Sequence, residues 1–192
     1  MCLVDFSKTF SSNKHFSELR LFAPLERHKI IAIYDLIMQT SAEKIIIFDW
    51  KTAMNRPKSR YIFDKPQSLV YPYVLRKNYE ALFPGIQQKP HITMIYWYPE
   101  FPNDTLRLDY SDERHVETVP LLKDQLNAIN KNIEDNHFPL TNNKAKCKYC
   151  PYRSLCDRGV FAGELKDLDQ IVPAEEEIEI NFLDLPALDL HI

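Results

Sequence analysis

The most apolar run of the chain ends in an alternation of charge and aromatic side chain. Residues 45–48 are four large apolar residues, preceded by Lys44 and followed by Asp49, Trp50 and Lys51. Such a run between charges is typical of a short strand buried on both faces. Because side chains alternate along a strand, Asp49 and Lys51 are expected to project on the same side, about 7 Å apart along it.

A second β-rich run lies just before this strand. Residues 28–38 are mostly apolar, with Asp35 in the middle, and a short polar turn near residues 39–43 follows. Two strands joined in this way are expected to form an antiparallel hairpin. The hairpin would bring Asp35 beside Asp49, and two carboxylates at one point raise each other's pKa unless a cation lies between them.

Three more strands are predicted from the alternation of apolar and polar residues. The first covers residues 15–22 and ends near Pro24, because proline is confined to strand ends and edges. The second, residues 91–98, is rich in β-branched and aromatic residues. The third, residues 105–110, alternates as expected at the margin of a sheet.

Two helices complete the pattern. One is predicted at residues 67–82, where Pro72 should bend the helix or mark a late start. The other is predicted to begin after a cap at Ser111 or Asp112 and to end near Asp135. Its apolar residues recur at helical spacing: Val116, Val119, Leu122, Leu126, Ile129 and Ile133. The whole order predicts an α/β fold of the α+β sandwich type, in which helices flank a mixed central β-sheet.

Composition limits the possible functions. A chain of 192 residues with 45% hydrophobic content suits one globular domain, or a domain with a tail. The 24 basic and 27 acidic residues give a net charge of −3, so a nucleic-acid surface would have to be a local patch. No run approaches the roughly 18 apolar residues of a membrane span, and no signal-peptide pattern is visible. A cytoplasmic protein without a membrane partner is therefore expected.

The Asp-x-Lys at the end of the strand has two interpretations. A carboxylate and an ammonium leaving a buried strand together are costly to desolvate unless a divalent metal and a phosphate use them. In that case the carboxylate holds a hard cation and the lysine acts on the attacking water. The simpler interpretation is a surface ion pair, and an isolated tripeptide favours it. Gln67 and Tyr71, spaced i and i+4 on one face of the predicted helix, change that balance.

In their order these residues resemble the RecB-like branch of the PD-(D/E)xK nuclease superfamily, whose core is restriction-endonuclease-like. The family places an Asp on one strand, an Asp-x-Lys on the next and a Q-x-x-x-Y on a helix, here Asp35, Asp49 with Lys51, and Gln67 with Tyr71. The resemblance implies that Asp35, Asp49 and the backbone carbonyl of Trp50 hold Mg²⁺ or Mn²⁺. It further implies that Lys51 orients the water, while Gln67 and Tyr71 set the lysine and the DNA strand.

Three cysteines near the C-terminus form a C-x2-C-x5-C pattern at Cys147, Cys150 and Cys156. Clustered cysteines suit a metal site in a reducing compartment better than a disulfide framework. The resemblance extends to the subset that includes the AddB nuclease and the CRISPR-associated exonucleases, and it implies a 4Fe-4S cluster with Cys2 as the fourth ligand. Zinc, or no retained metal, remains an alternative.

The chain departs from the family near its start. Relatives usually carry a helix before the first strand, with a His or Glu that completes the metal site, and only about 16 residues are available here. His15 or Glu18 could substitute for that residue. Between the Asp-x-Lys and the Q-x-x-x-Y, a short basic loop offers phosphate contacts at Arg56, Lys58 and Arg60, although such runs are usually solvated turns.

The leading hypothesis is a metal-dependent deoxyribonuclease, an exonuclease acting on single-stranded DNA ends in repair, recombination or defence. The rival is an inactive nuclease-like module that binds DNA or serves in assembly, and a third is a zinc-bound interaction protein. The nuclease-like domain is expected to cover residues 1–158 and end in the cysteine cluster. Residues 159–192 form an acidic extension, and a protein partner or a fused helicase is possible.

Overall fold

The structure is a computed structural model that describes residues 14–51, 62–63, 65–103, 105–144, 147 and 150–159. Its elements, in chain order, are strands β1 (His15–Leu25), β2 (His28–Ser41) and β3 (Lys44–Trp50), helix α1 (Pro66–Leu82), strands β4 (His91–Trp97) and β5 (Leu106–Tyr110), helix α2 (Asp112–Glu134), and a short 3-10 helix (Arg153–Cys156). In the part of the chain described, no helix has the length and apolar character to span a bilayer.

The strands form one five-stranded mixed sheet in the order β1-β2-β3-β4-β5. Strands β1, β2 and β3 are an antiparallel meander, and β5 pairs antiparallel with β4. Strands β3 and β4 are parallel, because α1 carries the chain back across the sheet between them. The carboxyl ends of β3 and β4 therefore meet at one edge of the sheet. The predicted α+β fold and the predicted hairpin of β2 and β3 are confirmed.

Strand β3 does not have two equally buried faces. Ile45, Ile47 and Asp49 are buried, whereas Ile46 and Phe48 on the other face are only half-buried. The prediction of burial on both faces is therefore wrong in part. The buried face belongs to the main core, which α1 covers by packing against β1, β2 and β4.

Helix α1 begins before Pro72, so Pro72 does not mark a late start of the helix. It starts at Pro66, a position where the missing amide hydrogen is harmless, and continues through Pro72. Its buried side includes Tyr73, Val74 and Leu75. Gln67 and Tyr71 therefore lie in its first two turns, at the end of the helix that is nearest to the strand ends.

Helix α2 begins as predicted, because the Ser111 hydroxyl accepts a hydrogen bond from the Arg114 amide at 3.2 Å. The predicted apolar stripe is only partly buried. Leu122 is 3% exposed, whereas Ile129 and Ile133 are 52% and 60% exposed. Periodicity identified the apolar side of the helix but not the length over which the core covers it.

The pairing of β1 with β2 contains a backbone irregularity beside Asp35. Ser17 pairs with Leu36 and Leu19 pairs with Tyr34, so Glu18 lies across from Asp35. Glu18 has a φ of 49°, in the left-handed region that few residues other than glycine and asparagine adopt. Strained backbone of this kind is concentrated at functional sites, which makes this row of the sheet of interest.

Candidate active site

Asp49 and Lys51 form an ion pair at the carboxyl end of β3. The Lys51 Nζ lies 3.1 Å from the Asp49 Oδ2, and the two side chains are 15% and 5% exposed, respectively. Their contact follows from the alternation of the strand, which directs residues two apart to the same side. The pair is largely removed from water. An unpaired charge would be strongly disfavoured in such a buried position.

Gln67, from the first turn of α1, joins the two charged groups. Its amide oxygen accepts a hydrogen bond from the Lys51 Nζ at 2.8 Å, and its amide nitrogen donates to the Asp49 Oδ1 at 2.5 Å. A side-chain amide offers an acceptor oxygen and a donor nitrogen on separate atoms, so it can contact an ammonium and a carboxylate at the same time. Gln67 therefore fixes the positions of both the carboxylate and the ammonium.

Asp35 brings a second carboxylate to the same row of the sheet. Leu36 pairs with Phe48, so that Asp35 comes opposite Asp49, and the Trp50 amide donates to the Asp35 Oδ2 at 2.7 Å. Asp35 is half-buried, in contrast to Asp49, which is 3% exposed. The hairpin thus places two carboxylates from neighbouring strands beside each other.

Tyr71 lies one turn of α1 beyond Gln67. Its ring packs against Tyr34 at a centroid distance of 5.0 Å, and its backbone carbonyl accepts a hydrogen bond from the Tyr34 hydroxyl at 2.8 Å. Burial raises the pKa of Tyr71 above its usual 10.0, with smaller contributions from Asp49 and Asp35. A hydrogen bond with Gln67 and the charge of Lys51 act in the opposite direction on this pKa. The phenol is therefore protonated at neutral pH, within the electrostatic field of the two carboxylates.

Tyr96 is a neighbour of this group that the sequence reasoning missed. It pairs with Asp49 across the parallel strands, and the Lys51 Nζ lies 5.6 Å from the centre of its ring. The Tyr96 hydroxyl is 2.6 Å from the hydroxyl of Ser68, the residue after Gln67 on α1. The aromatic ring faces the ammonium, which favours its positive charge. A helix between two predicted strands indicates parallel pairing, and that signal could have pointed to Tyr96.

Of the two residues considered as substitutes for the family's first metal ligand, Glu18 lies nearer to the carboxylates. It is across from Asp35 in the register, whereas His15 pairs with Met38. Both are exposed. In the described residues, no three side chains of the His, Cys, Asp or Glu type are grouped so that they could hold a metal ion.

The other predicted site residues fall into two groups. Arg56, Lys58, Arg60 and Cys2 lie outside the described residues. The three clustered cysteines are described as free thiols, with Cys147 buried and Cys150 and Cys156 half-buried. Arg158 donates a hydrogen bond to the Cys147 Sγ at 3.2 Å.

Asp35 and Asp49 have the chemistry that a hard divalent cation requires. Mg²⁺ is bound in proteins by one or two carboxylates and keeps several of its waters. Two carboxylates from neighbouring strands, with a backbone carbonyl at the strand end, match that pattern. The ion pair with Lys51 and the hydrogen bond from Gln67 hold the buried Asp49 carboxylate in place at the strand end, next to where a cation would be bound.

Comparison with known proteins identifies the class to which this fold and these residues belong. A model of the PD-(D/E)XK nuclease superfamily matches residues 4–157. The match covers most of the 192 residues, and the chain belongs to the PD-(D/E)XK nuclease superfamily. Proteins of this superfamily generally act on nucleic acids with the help of divalent metals.

Solved structures also match, among them the crystal structure of SSO0001, at 17% sequence identity and a TM-score of 0.37. That alignment covers 79% of this chain, and it spans 64% of the length of the matched chain. Among curated proteins, none matches the chain significantly.

Proposed function

We propose that the protein is a metal-dependent deoxyribonuclease that removes nucleotides from single-stranded DNA ends. The observation that carries the proposal is the linkage of Asp49, Lys51 and Gln67 at the edge of the sheet. Gln67, from a different element, hydrogen-bonds both members of the pair and so fixes the carboxylate and the ammonium relative to each other. In a superfamily of nucleases, that linkage is expected to hold the hydrolytic groups in place.

The proposed roles follow from the position of each group. Asp35, Asp49 and the backbone carbonyl of Trp50 would hold Mg²⁺ or Mn²⁺. A cation bound there would lower the pKa of its water and neutralise charge on the phosphate. The Lys51 ammonium orients the attacking water and offsets the charge that grows on the phosphate oxygens.

Two residues of α1 support this arrangement. Gln67 keeps the Lys51 ammonium directed at one place, because its amide oxygen lies 2.8 Å from the Nζ. The protonated hydroxyl of Tyr71 can donate a hydrogen bond to the DNA strand. In the basic loop, Arg56, Lys58 and Arg60 are proposed to contact further phosphates, a role that matches their charge.

The test compares linear and circular single-stranded DNA with Mg²⁺, Mn²⁺ or EDTA. Digestion of the linear DNA only, and only with a cation present, supports the proposal. Asp35→Asn should abolish this digestion, because the carboxamide keeps the shape but loses the charge that binds a hard cation. The matched control is Asp109→Asn, which changes a 66% exposed carboxylate on β5 that contacts the His91 ring. This variant should cleave as the parent does.

Several results would contradict the proposal. Cleavage of circular DNA would show an endonuclease, and equal cleavage of RNA would remove the preference for DNA. No cleavage by the parent under any condition would favour the rival hypothesis, an inactive module that binds DNA or serves in assembly.

The proposal includes that the chain belongs to the RecB-like branch and that its clustered cysteines bind a metal. Its support is the spacing of Cys147, Cys150 and Cys156 and the Arg158 contact to the Cys147 sulfur. Three thiolates with Cys2 would hold a 4Fe-4S cluster or zinc, and such ligation stabilises the fold by roughly 10 kcal/mol for structural zinc. In this proposal the nuclease domain covers residues 1–158, and residues 159–192 are an acidic extension.

The cluster is tested by metal analysis of the purified protein together with Cys150→Ser. Iron with absorption near 400 nm, or zinc without colour, should accompany the parent and be lost with a lower melting temperature in the variant. A parent without either metal, and a variant that melts as the parent does, would rule the cluster out.

A further inference from the structure

The chain contains two tryptophans, and the sheet brings them together. Trp50 is the last residue of β3, Trp97 is the last residue of β4, and the parallel register pairs them directly. Paired residues of neighbouring strands point to the same face of a sheet. Both indole side chains therefore lie side by side on one face, at the carboxyl ends of the two strands.

This face is the reverse of the one that carries Asp49. The preceding pair in the register is Asp49 with Tyr96, and α1 contacts both through Gln67 and Ser68. Since side chains alternate, Trp50 and Trp97 lie on the other side of the same sheet edge. Trp50 is nevertheless one hydrogen bond from the candidate site, because its backbone amide donates to Asp35.

The exposure of this pair is unusual for tryptophan. Trp50 is 39% exposed and Trp97 is half-buried, although a tryptophan is normally highly buried. Arg107 of β5 is exposed and pairs with Ile95, which places it on the same face, one pleat from Trp97. A partly exposed aromatic pair next to a cation is a combination that single-stranded nucleic acids bind, by base stacking and by phosphate contact.

We propose that Trp50 and Trp97 are a stacking platform for the unpaired bases next to the phosphodiester that Asp49 and Lys51 act on. The proposal rests on the proposed nuclease function and adds how the substrate is selected. The strand would pass over the sheet edge, with a phosphate on the Asp49 side and its neighbouring bases on the indoles. Bases inside a duplex are already stacked on each other, so the platform favours single strands and frayed ends without regard to sequence.

Intrinsic fluorescence provides a direct test, since all tryptophan emission comes from this pair. The full chain is titrated in EDTA, which prevents cleavage, with an oligothymidylate and separately with a blunt duplex. The single strand should quench the emission and the duplex should not. Single-tryptophan variants, Trp50→Phe and Trp97→Phe, then show which indole is quenched.

Affinity measured by fluorescence anisotropy of a labelled oligonucleotide separates stacking from charge. Trp50→Ala should weaken single-strand binding roughly tenfold, the scale of one lost base-stacking contact. Trp50→Phe keeps an aromatic face and should restore most of that affinity. The matched control is Phe138→Ala, which removes an aromatic side chain that is 64% exposed. Phe138 lies four residues beyond Glu134, which forms an ion pair with Arg27 in the turn between β1 and β2. This variant should bind as the parent does.

Cleavage by the parent, measured in parallel, separates this proposal from the one on which it rests. A parent that cleaves single strands while its emission and affinity are insensitive to Trp50 would overturn the platform alone. A parent that is quenched on binding but never cleaves would overturn the nuclease and keep the platform. If the Trp50→Ala protein does not fold, as judged by circular dichroism, the quenching in the two phenylalanine variants decides.

Discussion

Helix α1 contributes to two buried polar networks, and the difference between them shows which one is suited to chemistry. Near its first turn, Gln67 links Asp49 and Lys51. Two turns and a half later, Arg76 donates to the Asp112 carboxylate at 3.1 Å and to the Tyr110 carbonyl at 3.2 Å. In the first network the cation and the carboxylate are two residues apart at the end of β3, whereas in the second they come from α1 and α2.

The networks differ in which member is buried. At the strand ends the carboxylate itself is buried, with Asp49 at 3% exposure, and a second carboxylate from β2 lies next to it. Around Arg76 the cation is buried, at 7% side-chain exposure, while Asp112 is 59% exposed at the start of α2. Two carboxylates beside a single lysine leave room for a further positive charge, whereas the Arg76 network ties α1, β5 and α2 together through its two hydrogen bonds. The first should therefore govern activity and the second stability.

The largest expected effect is on cleavage. Lys51→Ala should lower the rate of the chemical step about a hundredfold or more, the scale of removing one positioned charge from a reacting centre. Binding of the metal and of DNA should be retained, because the carboxylates remain. Single-turnover cleavage of labelled single-stranded DNA measures the change.

The matched control is Lys77→Ala, which removes an exposed lysine of α1 whose Nζ lies 5.9 Å from the Tyr73 ring. Its rate should equal that of the parent. An unchanged rate in Lys51→Ala would show that the lysine is only a structural partner of Asp49.

The next effect is on stability. Arg76→Met keeps an apolar stem but removes the hydrogen bonds to Asp112 and Tyr110, and it should lower the free energy of unfolding by about 2 kcal/mol. Asp112 is left exposed to water, so the larger loss expected for an orphaned buried charge does not apply. Urea denaturation measures the difference, and cleavage below the melting temperature should be unchanged. A loss of cleavage with unchanged stability would reverse the assignment of the two networks.

Local patterns indicated which elements carry Asp35, Asp49 and Gln67, but they gave no sign of the second network. The hairpin that carries Asp35 and Asp49 is readable because strand period and turn are local. The spacing of Gln67 and Tyr71 is likewise readable because a helix repeats every 3.6 residues. Arg76, in contrast, lies within a helical pattern where a cation is usually solvated. Its burial depends on how α2 packs, which no local pattern contains.

Contacts that depend on the exact register of the strands were only partly readable from the sequence. Tyr96 meets Asp49 and Lys51 because β3 and β4 pair in one particular register, 47 residues apart along the chain. The sequence also contains no signal for the left-handed backbone of Glu18, since glutamate is not a residue that favours that conformation. The exposure of Ile129 and Ile133 depends on where the core ends, which the apolar period does not give.

The smallest expected effect is a pH dependence at the second network. Burial lowers the pKa of His115 below its usual 6.5, and the charges of Lys77 and Arg76 lower it further, against Asp112. The ring stacks on Tyr73 at 5.8 Å, and its Nδ1 is 2.8 Å from the Tyr110 hydroxyl. The unfolded chain therefore binds the proton more readily than the folded chain.

The stability that the folded state gains by keeping His115 neutral is therefore present above pH 6.5. It is lost as the pH falls from 6.5 toward the lowered pKa of His115 in the folded state. Urea denaturation at pH 7.5 and at pH 5.5 should show a smaller pH dependence in His115→Gln than in the parent. An equal pH dependence of stability in both proteins would show that protonation of His115 does not contribute to it.

The most direct test of the central claim is Asp49→Asn, compared with the parent in Mn²⁺-dependent cleavage of single-stranded DNA and in urea denaturation. The carboxamide oxygen can still accept the Gln67 hydrogen bond, so the fold should be retained. The negative charge that binds a hard cation is lost, and cleavage should disappear. A folded Asp49→Asn protein that cleaves at the parent's rate would contradict the assignment of the strand ends as the active site.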